Sequence, residues 1–240
     1  MPFGLLRSAT GRLDKVDIAL ATMGGVVEQQ LSDAIAAFER GDAILATDVR
    51  DRDLTVDQHE RAIEREVIDI LEDRRPTGEA LRRALTAVKI AAEMERIGDL
   101  SKNIAKRTLV LGSIEERDTP TNVVPVVARM GRRALTQFGE GRDSLFQGNA
   151  TAARAVRDAD DQIDELYNSI FREILVGMSQ YAAGVLMGTH LVFIAKNFER
   201  IGDHATNIAE RVHFSLTGHE LEDERPKGDV TTNVEAVSAS

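Results

Sequence analysis

The sequence predicts an all-α protein built as two tandem, homologous three-helix bundles. Leu, Ile, Val and Ala dominate its apolar residues, whereas aromatic residues make up only 4% of the chain, with no Trp and five Pro. Internal repeats indicate the duplication, and apolar residues spaced by three and four indicate the helices. We expect the first bundle over residues 12–112, the second over 121–217, and a disordered tail over 218–240.

Two pairs of matching segments carry the duplication. EMERIGDLSKNIAKR (93–107) and NFERIGDHATNIAER (197–211) share nine of fifteen residues, where random pairing would give about one. Upstream, VRDRDLTVD (49–57) and VRDADDQID (156–164) share five of nine residues. The offset between the halves is 107 for the upstream pair and 104 for the downstream pair, so the second half is three residues shorter between them.

Three helices are predicted in the first half. The first helix carries one apolar stripe, formed by Leu13, Val16, Leu20, Met23, Val27, Leu31, Ala34 and Phe38. Gly41 ends this helix, and Asp42 caps a second helix that we expect to run from Ala43 to Asp73. Its predicted core residues are Val49, Val56, Ile63, Val67 and Ile70. Pro76 breaks the chain before a third helix that reaches Leu111.

The second half repeats this plan after a polar linker over residues 113–121. The stripe of its first helix comprises Val123, Val127, Met130, Ala134, Phe138 and Leu145. Gly148 and Asn149 separate the first helix from the second, and residues 182–184 mark the next boundary less clearly.

Charge and composition exclude several classes of function. The 40 acidic residues outnumber the 30 basic ones, and without a local basic patch such a surface repels nucleic acid. The lack of cysteine excludes disulfides and thiolate metal sites. The apolar run at the N-terminus is too short for a signal peptide, and no stretch is apolar enough to cross a membrane. The absence of cysteine fits a reducing cytoplasm.

Acidic pairs at a spacing of four recur in both halves. Residues four apart share one face of a helix. The third helices carry Glu95 with Asp99 and Glu199 with Asp203, extended by Asn103 and Asn207; the second helices carry Asp53 with Asp57 and Asp160 with Asp164. A single such pair is usually a solvated face, but recurrence at equivalent positions of both halves favours two sites, each formed by four carboxylates.

Four facing carboxylates repel one another unless a cation neutralises them. Ligation by oxygen alone favours hard ions such as Mg²⁺, Mn²⁺, Ca²⁺ or Fe³⁺ over structural zinc. Gly98 and Gly202 lie inside the third helices, where a glycine indicates close approach of either an ion or a neighbouring helix. Arg96 and Arg200 could hold the carboxylates, which we favour, or bind acidic groups of a partner.

Neither the histidines nor any known catalytic motif indicates an enzyme. Glu210–His213 alone has the Glu-x-x-His spacing of a di-iron oxidase, and its counterparts Lys106 and Leu109 are neither acidic nor imidazole. The chain has no glycine-rich phosphate loop and no nucleophilic cysteine. We therefore expect no catalytic residues.

The two ERIGD…NIA blocks, each at the end of a three-helix unit, resemble the motif of the PhoU family, and the resemblance covers residues 12–216. The family's acidic positions fall on Glu95, Asp99, Glu199 and Asp203, and its second-helix acids on Asp53, Asp57, Asp160 and Asp164. The resemblance implies a two-bundle protein, often a homodimer, that binds iron, zinc or other metals on these faces.

The resemblance also implies a function in the cytoplasm. Family members act with the phosphate ABC transporter and its ATPase and with a phosphate-sensing histidine kinase, and they keep the starvation response off when phosphate is abundant. They would then reach the membrane only through these partners. Two differences between the halves suggest unequal sites: Leu100 stands where the second half has His204, and Tyr167 stands where the first has Glu60.

Two other classes of function remain open at this point. A carboxylate-ligated, metal-dependent enzyme would need an open coordination position and a general acid or base beside the metal. A purely structural helical spacer would need no repeated acidic faces.

Overall fold

The structure is a computed structural model that describes residues 3–114, 123–180 and 184–222, and within these ranges every regular element is a helix. The helices are α1 (Phe3–Arg40), α2 (Ala43–Asp51), α3 (Asp53–Arg74), α4 (Gly78–Gly112), α5 (Val123–Phe146), α6 (Ala150–Asp158), α7 (Asp161–Gln180) and α8 (Gly184–Thr217). The residues predicted for the apolar stripes are buried, except that Leu145 is half-buried. The all-α fold and the repeat are therefore confirmed.

The second helix of each half is divided in two, so the expectation of one helix from Ala43 to Asp73 is wrong. Arg52 separates α2 from α3, where the amide of Thr55 donates to the carbonyl of Arg52 at 3.0 Å in a tighter turn. In the second half the amide of Ile163 donates to the carbonyl of Asp160 in the same way. The apolar stripe continues across the break, since Val49 and Val56 are both buried, so periodicity does not reveal it.

The predicted boundary before the second helix is confirmed in both halves. Gly41 and Gly148 have positive φ angles of 64° and 61°, a backbone conformation that favours glycine. Asp42 then caps α2 by accepting from the amides of Ile44 and Leu45, and Asn149 caps α6 by accepting from the amide of Ala152. These caps satisfy amides that the helix itself leaves without partners.

The two halves share one continuous core. Helices α4 and α8 pack against each other, α1 packs on α4 and on α5, and α5 packs on α8. The contacts follow the repeat: Gly24 faces Met94 and Arg142, whereas the equivalent Gly131 faces Phe198 and Ile35. Because these partners are themselves equivalent by the offsets of 104 and 107, the halves pack in a two-fold-like arrangement.

The predicted linker and tail fall largely on residues 115–122 and 223–240, and the boundary near residue 183 falls on 181–183; all three segments lie outside the described residues. The bundle boundaries therefore stay a prediction. In the part of the chain that the structure describes, no helix combines the length and the hydropathy that crossing a membrane requires.

Candidate metal centres

In the first half, the packing of α3 on α4 brings the predicted carboxylates together. Val56 of α3 lies against Gly98, where an added Cβ would approach its Cγ1 to 3.2 Å. Around this contact, burial raises the pKa of Glu95, and the nearby charges of Asp99, Glu60 and Asp57 raise it further while Arg96 opposes them. The four carboxylates thus lie near enough to repel one another, as the spacing predicted for three of them.

Cationic side chains accompany this first acidic group. Lys102 donates from Nζ to Oδ1 of Asp99 at 2.6 Å, and Nε of Arg96 lies 3.6 Å from Oε2 of Glu95. Arg96 is 63% exposed, so its pair with Glu95 contributes little. Asn103 is exposed one turn beyond Asp99, and the side chain of Asp53 lies outside the described residues.

In the second half, Glu199 lies deeper than its counterpart Glu95. Its Oε1 accepts from Nζ of Lys196 at 2.8 Å, whereas its Oε2 is buried without a hydrogen-bond partner in the described structure. Burial raises the pKa of Glu199 to about 7; Lys196 opposes the shift, and the charges of Asp203 and Asp164 add to it. Three of the four carboxylates predicted for this half therefore lie near enough for the charges of Asp164 and Asp203 to affect Glu199.

The fourth, Asp160, is tied into the core. Its Oδ1 accepts from the hydroxyl of Thr206 at 2.6 Å and from the amide of Gln137 at 3.5 Å, and Gln137 also donates to Thr206 at 2.8 Å. All three side chains are buried. Asp160 therefore fixes the start of α7 against α5 and α8.

A contact between the halves lies beside the second acidic group. Nδ1 of His204 is 2.6 Å from Oε2 of Glu93, and the amide of Asn207 donates to the same oxygen at 3.2 Å. Burial would raise the pKa of Glu93, but these hydrogen bonds and the charge of Arg211 hold it below its usual value. Asn207, which we predicted as a metal ligand, and His204, which we did not, thus join α8 to α4 through Glu93.

The side chains of these acidic groups have the right chemistry to bind a hard cation, but their positions do not form a coordination site. Every predicted ligand atom is a carboxylate or amide oxygen, and the buried Oε2 of Glu199 has no hydrogen-bond partner in the described structure. However, no three Asp, Glu or His side chains of the described residues converge closely enough to hold an ion as they stand. An ion would have to draw the carboxylates inwards.

Three residues of these sites were not found from the sequence: Lys102, Lys196 and Glu93. Lys102 follows Asp99 by three residues and Lys196 precedes Glu199 by three, a spacing that also shares a helix face and could have revealed them. The role of Glu93 depends on the packing of the two halves, which the repeat does not specify. The glycines mark helix contacts, since an added Cβ at Gly202 would lie 2.8 Å from Cδ1 of Ile163.

Two cavities lie at opposite junctions of the halves, away from the acidic groups. One of about 540 Å³ is lined in part by residues 145–148, and another of about 370 Å³ is lined by the equivalent residues 38–41. In the larger cavity Arg83 pairs with Asp17 at 2.6 Å. Neither cavity is lined by the carboxylates of the two acidic groups.

Comparison with known proteins gives consistent results. The PhoU domain model matches residues 20–108 and 127–212. Proteins named phosphate-specific transport system accessory protein PhoU homolog are 42% identical in Caulobacter vibrioides, covering 87% of this chain and 89% of the relative, and 38% identical in Rhizobium meliloti, covering 91% of each. The crystal structure of PhoU from Pseudomonas aeruginosa superposes with a TM-score of 0.82 at 31% identity, covering 88% of this chain and 99% of that one. The chain belongs to the PhoU family.

Proposed function

We propose that this chain is a cytoplasmic accessory protein of phosphate transport that couples the phosphate ABC transporter, through its ATPase, to a phosphate-sensing histidine kinase. When phosphate is abundant, it biases the kinase towards an inactive conformation and so represses the starvation response. It acts as a homodimer and reaches the membrane only through these partners. Sedimentation of the purified chain as a dimer is the expected check on the oligomeric state.

The observation that carries the proposal is the match of the PhoU domain to both halves, together with relatives of 42% and 38% identity named as accessory proteins of phosphate-specific transport. The physical form suits this function, because long packed helices present extended charged faces to other proteins. These names also favour a regulatory protein over the metal-dependent enzyme.

Deletion of the gene tests the regulatory function. Expression from a phosphate-starvation promoter should then stay high in phosphate-rich medium, because the kinase is no longer held inactive. A plasmid copy of the wild-type gene should restore repression. Normal repression and normal phosphate uptake in the deletion strain, with no binding of the purified chain to transporter or kinase, would contradict the proposal.

We further propose that each acidic group binds a hard cation such as iron, manganese or magnesium. The ligands in the first half would be Asp53, Asp57, Glu95 and Asp99, with Asn103 on the same face. Those in the second would be Asp164, Glu199 and Asp203; Asp160 and Asn207 would join them by leaving their hydrogen bonds with Thr206 and Glu93. The buried acceptor Oε2 of Glu199 supports this assignment. Burial and the charges of Asp203 and Asp164 disfavour the negative charge of Glu199, and a bound cation would offset it.

Paired substitutions test the metal sites. Saturating cation should raise the melting temperature of the wild type, since a ligand at a hundred times its Kd stabilises the folded state by about 3 kcal/mol. The double variant D99N/D203N should lose most of this response. The control D69N/E173Q removes two exposed charges elsewhere on α3 and α7 and should keep it. An unchanged response in D99N/D203N would remove these residues from the sites.

A further inference from the structure

Lys196 lies beside Glu199 in the second acidic group. It lies one turn before Glu199 on α8, and its Nζ is 2.8 Å from Oε1 of Glu199 and 4.9 Å from the centre of the Tyr167 ring. Tyr167 is buried, so the ammonium lies between a carboxylate and the face of an aromatic ring. Both contacts favour a cation at this position.

The two halves differ at these two positions together. Where the second half has Tyr167 and Lys196, the first half has Glu60 and Ala92. At these two positions the second half therefore has an aromatic ring in place of a carboxylate and an ammonium in place of a methyl group. The ammonium of the first group, Lys102, lies instead one turn after Asp99, where the second half has Thr206. Because the ring and the ammonium contact each other, the two differences form one local change that places a positive charge in the site.

Glu199 shows that this charge compensates the site only in part. Its carboxylate is buried, with 5% of the residue exposed, yet Oε2 has no hydrogen-bond partner in the described structure. A single ammonium on Oε1 thus leaves the second oxygen, with Asp203 and Asp164 nearby, open to a cation of higher charge.

We propose that Lys196 is a tethered counter-ion that occupies the position of the second-half metal and must swing away before a divalent cation can bind. The inference rests on the proposed metal sites. The side chain of Lys196 is 36% exposed on a flexible stem, so it can reach solvent while Tyr167 and Glu199 stay in place. Lys196 thereby raises the cation concentration that is needed to fill this site. The site binds a divalent cation with lower affinity than an equivalent site without the ammonium.

Isothermal titration calorimetry of the cation-stripped protein with Mn²⁺ tests the proposal. K196M removes the charge and keeps the length of the side chain, so it should bind Mn²⁺ at least about tenfold more tightly, as expected for removing a positive charge within several ångströms of the ion. The control K89M removes an exposed lysine of α4 and should bind like the wild type. K196M/D203N should lose the gain, which assigns it to the second half.

Each result decides between the two ideas. Wild-type binding with equal or weaker binding by K196M would overturn the counter-ion role and leave the metal sites standing. No Mn²⁺ binding by either protein would overturn both. Binding by K196M alone would support a lysine that blocks the site. If K196M fails to fold, as judged by circular dichroism, K196Q removes the charge and retains a hydrogen-bond donor, and the same gain in affinity is expected.

Discussion

Glu199 is a residue at which burial and charge oppose each other. Its side chain is 6% exposed, against 19% for the equivalent Glu95, although both stand in the same ERIGD motif. The motif around the two glutamates is identical, and only the exchanges of Leu100 for His204 and of Glu60 for Tyr167 predicted that the two sites differ. The difference comes from what covers them, which includes a buried Tyr167 in place of the charged Glu60.

This burial makes the stability of the metal-free protein depend on pH. Because burial raises the pKa of Glu199 to about 7, the folded state holds a proton that the unfolded state releases near pH 4.5. Stability is therefore lost as the pH rises between these values, and the penalty is complete above about 7. In EDTA, E199Q should be more stable than the wild type at pH 8, on the order of 1 to 3 kcal/mol.

Urea denaturation at pH 5 and pH 8 measures this difference, which should shrink towards zero at the lower pH. The variant E173Q, altered at an exposed position of α7, serves as the control and should show no comparable pH-dependent gain. A wild type that is as stable as E199Q at pH 8 would mean that Glu199 is not held in an unfavourable environment.

At the scale of the helices, the sequence predicted which faces are buried and missed where helices break. The apolar stripes identify core residues because burial repeats with the helical period. The breaks at Arg52 and Ala159 leave that period intact, so they depend on local hydrogen bonds that a pattern of apolar residues does not record. The paired acidic faces were predictable for the same reason as the stripes. Lys196 and Glu93, in contrast, enter the second site through contacts with Tyr167 and His204 that depend on how the helices pack.

Substitutions of two glycines, one in the first helix of each half, distinguish the effect of close packing on stability from the effect of helix propensity. An added Cβ at Gly131 would lie 2.7 Å from the ring of Phe198, which is itself fully buried and cannot move away. G131A should therefore lower the free energy of unfolding by about 1 to 3 kcal/mol despite the better helix propensity of alanine. Gly25 of α1 has nothing within 4 Å of its added Cβ, so G25A should raise it by about 0.5 to 1 kcal/mol. Chemical denaturation measures both; a G131A as stable as G25A would contradict the close contact.

At the scale of the whole molecule, the duplication predicted two similar units but not how they join. A repeat within one chain indicates that each half has the same internal pattern. It does not indicate which helix faces of the two halves pack against each other. The structure places α4 against α8 and α1 against α5, so buried residues of both halves form one cluster. The contact of Glu93 with His204 belongs to this interface and has no equivalent in the other half, where Asn197 and Leu100 stand at these positions.

One shared core predicts that the halves unfold together. Ile194 lies in α8 and is fully buried, so I194A should lower the free energy of unfolding by about 2 to 5 kcal/mol. Because α8 packs on α4, the loss should appear equally in both halves: hydrogen exchange during urea denaturation should show peptides of α4 and α8 losing protection at the same, lowered urea concentration. L186A, at an exposed position of α8, should leave both transitions unchanged. If α8 peptides alone shifted in I194A, the halves would be independent units, and a cation bound to one acidic group would then have no route through the core by which to stabilise the other.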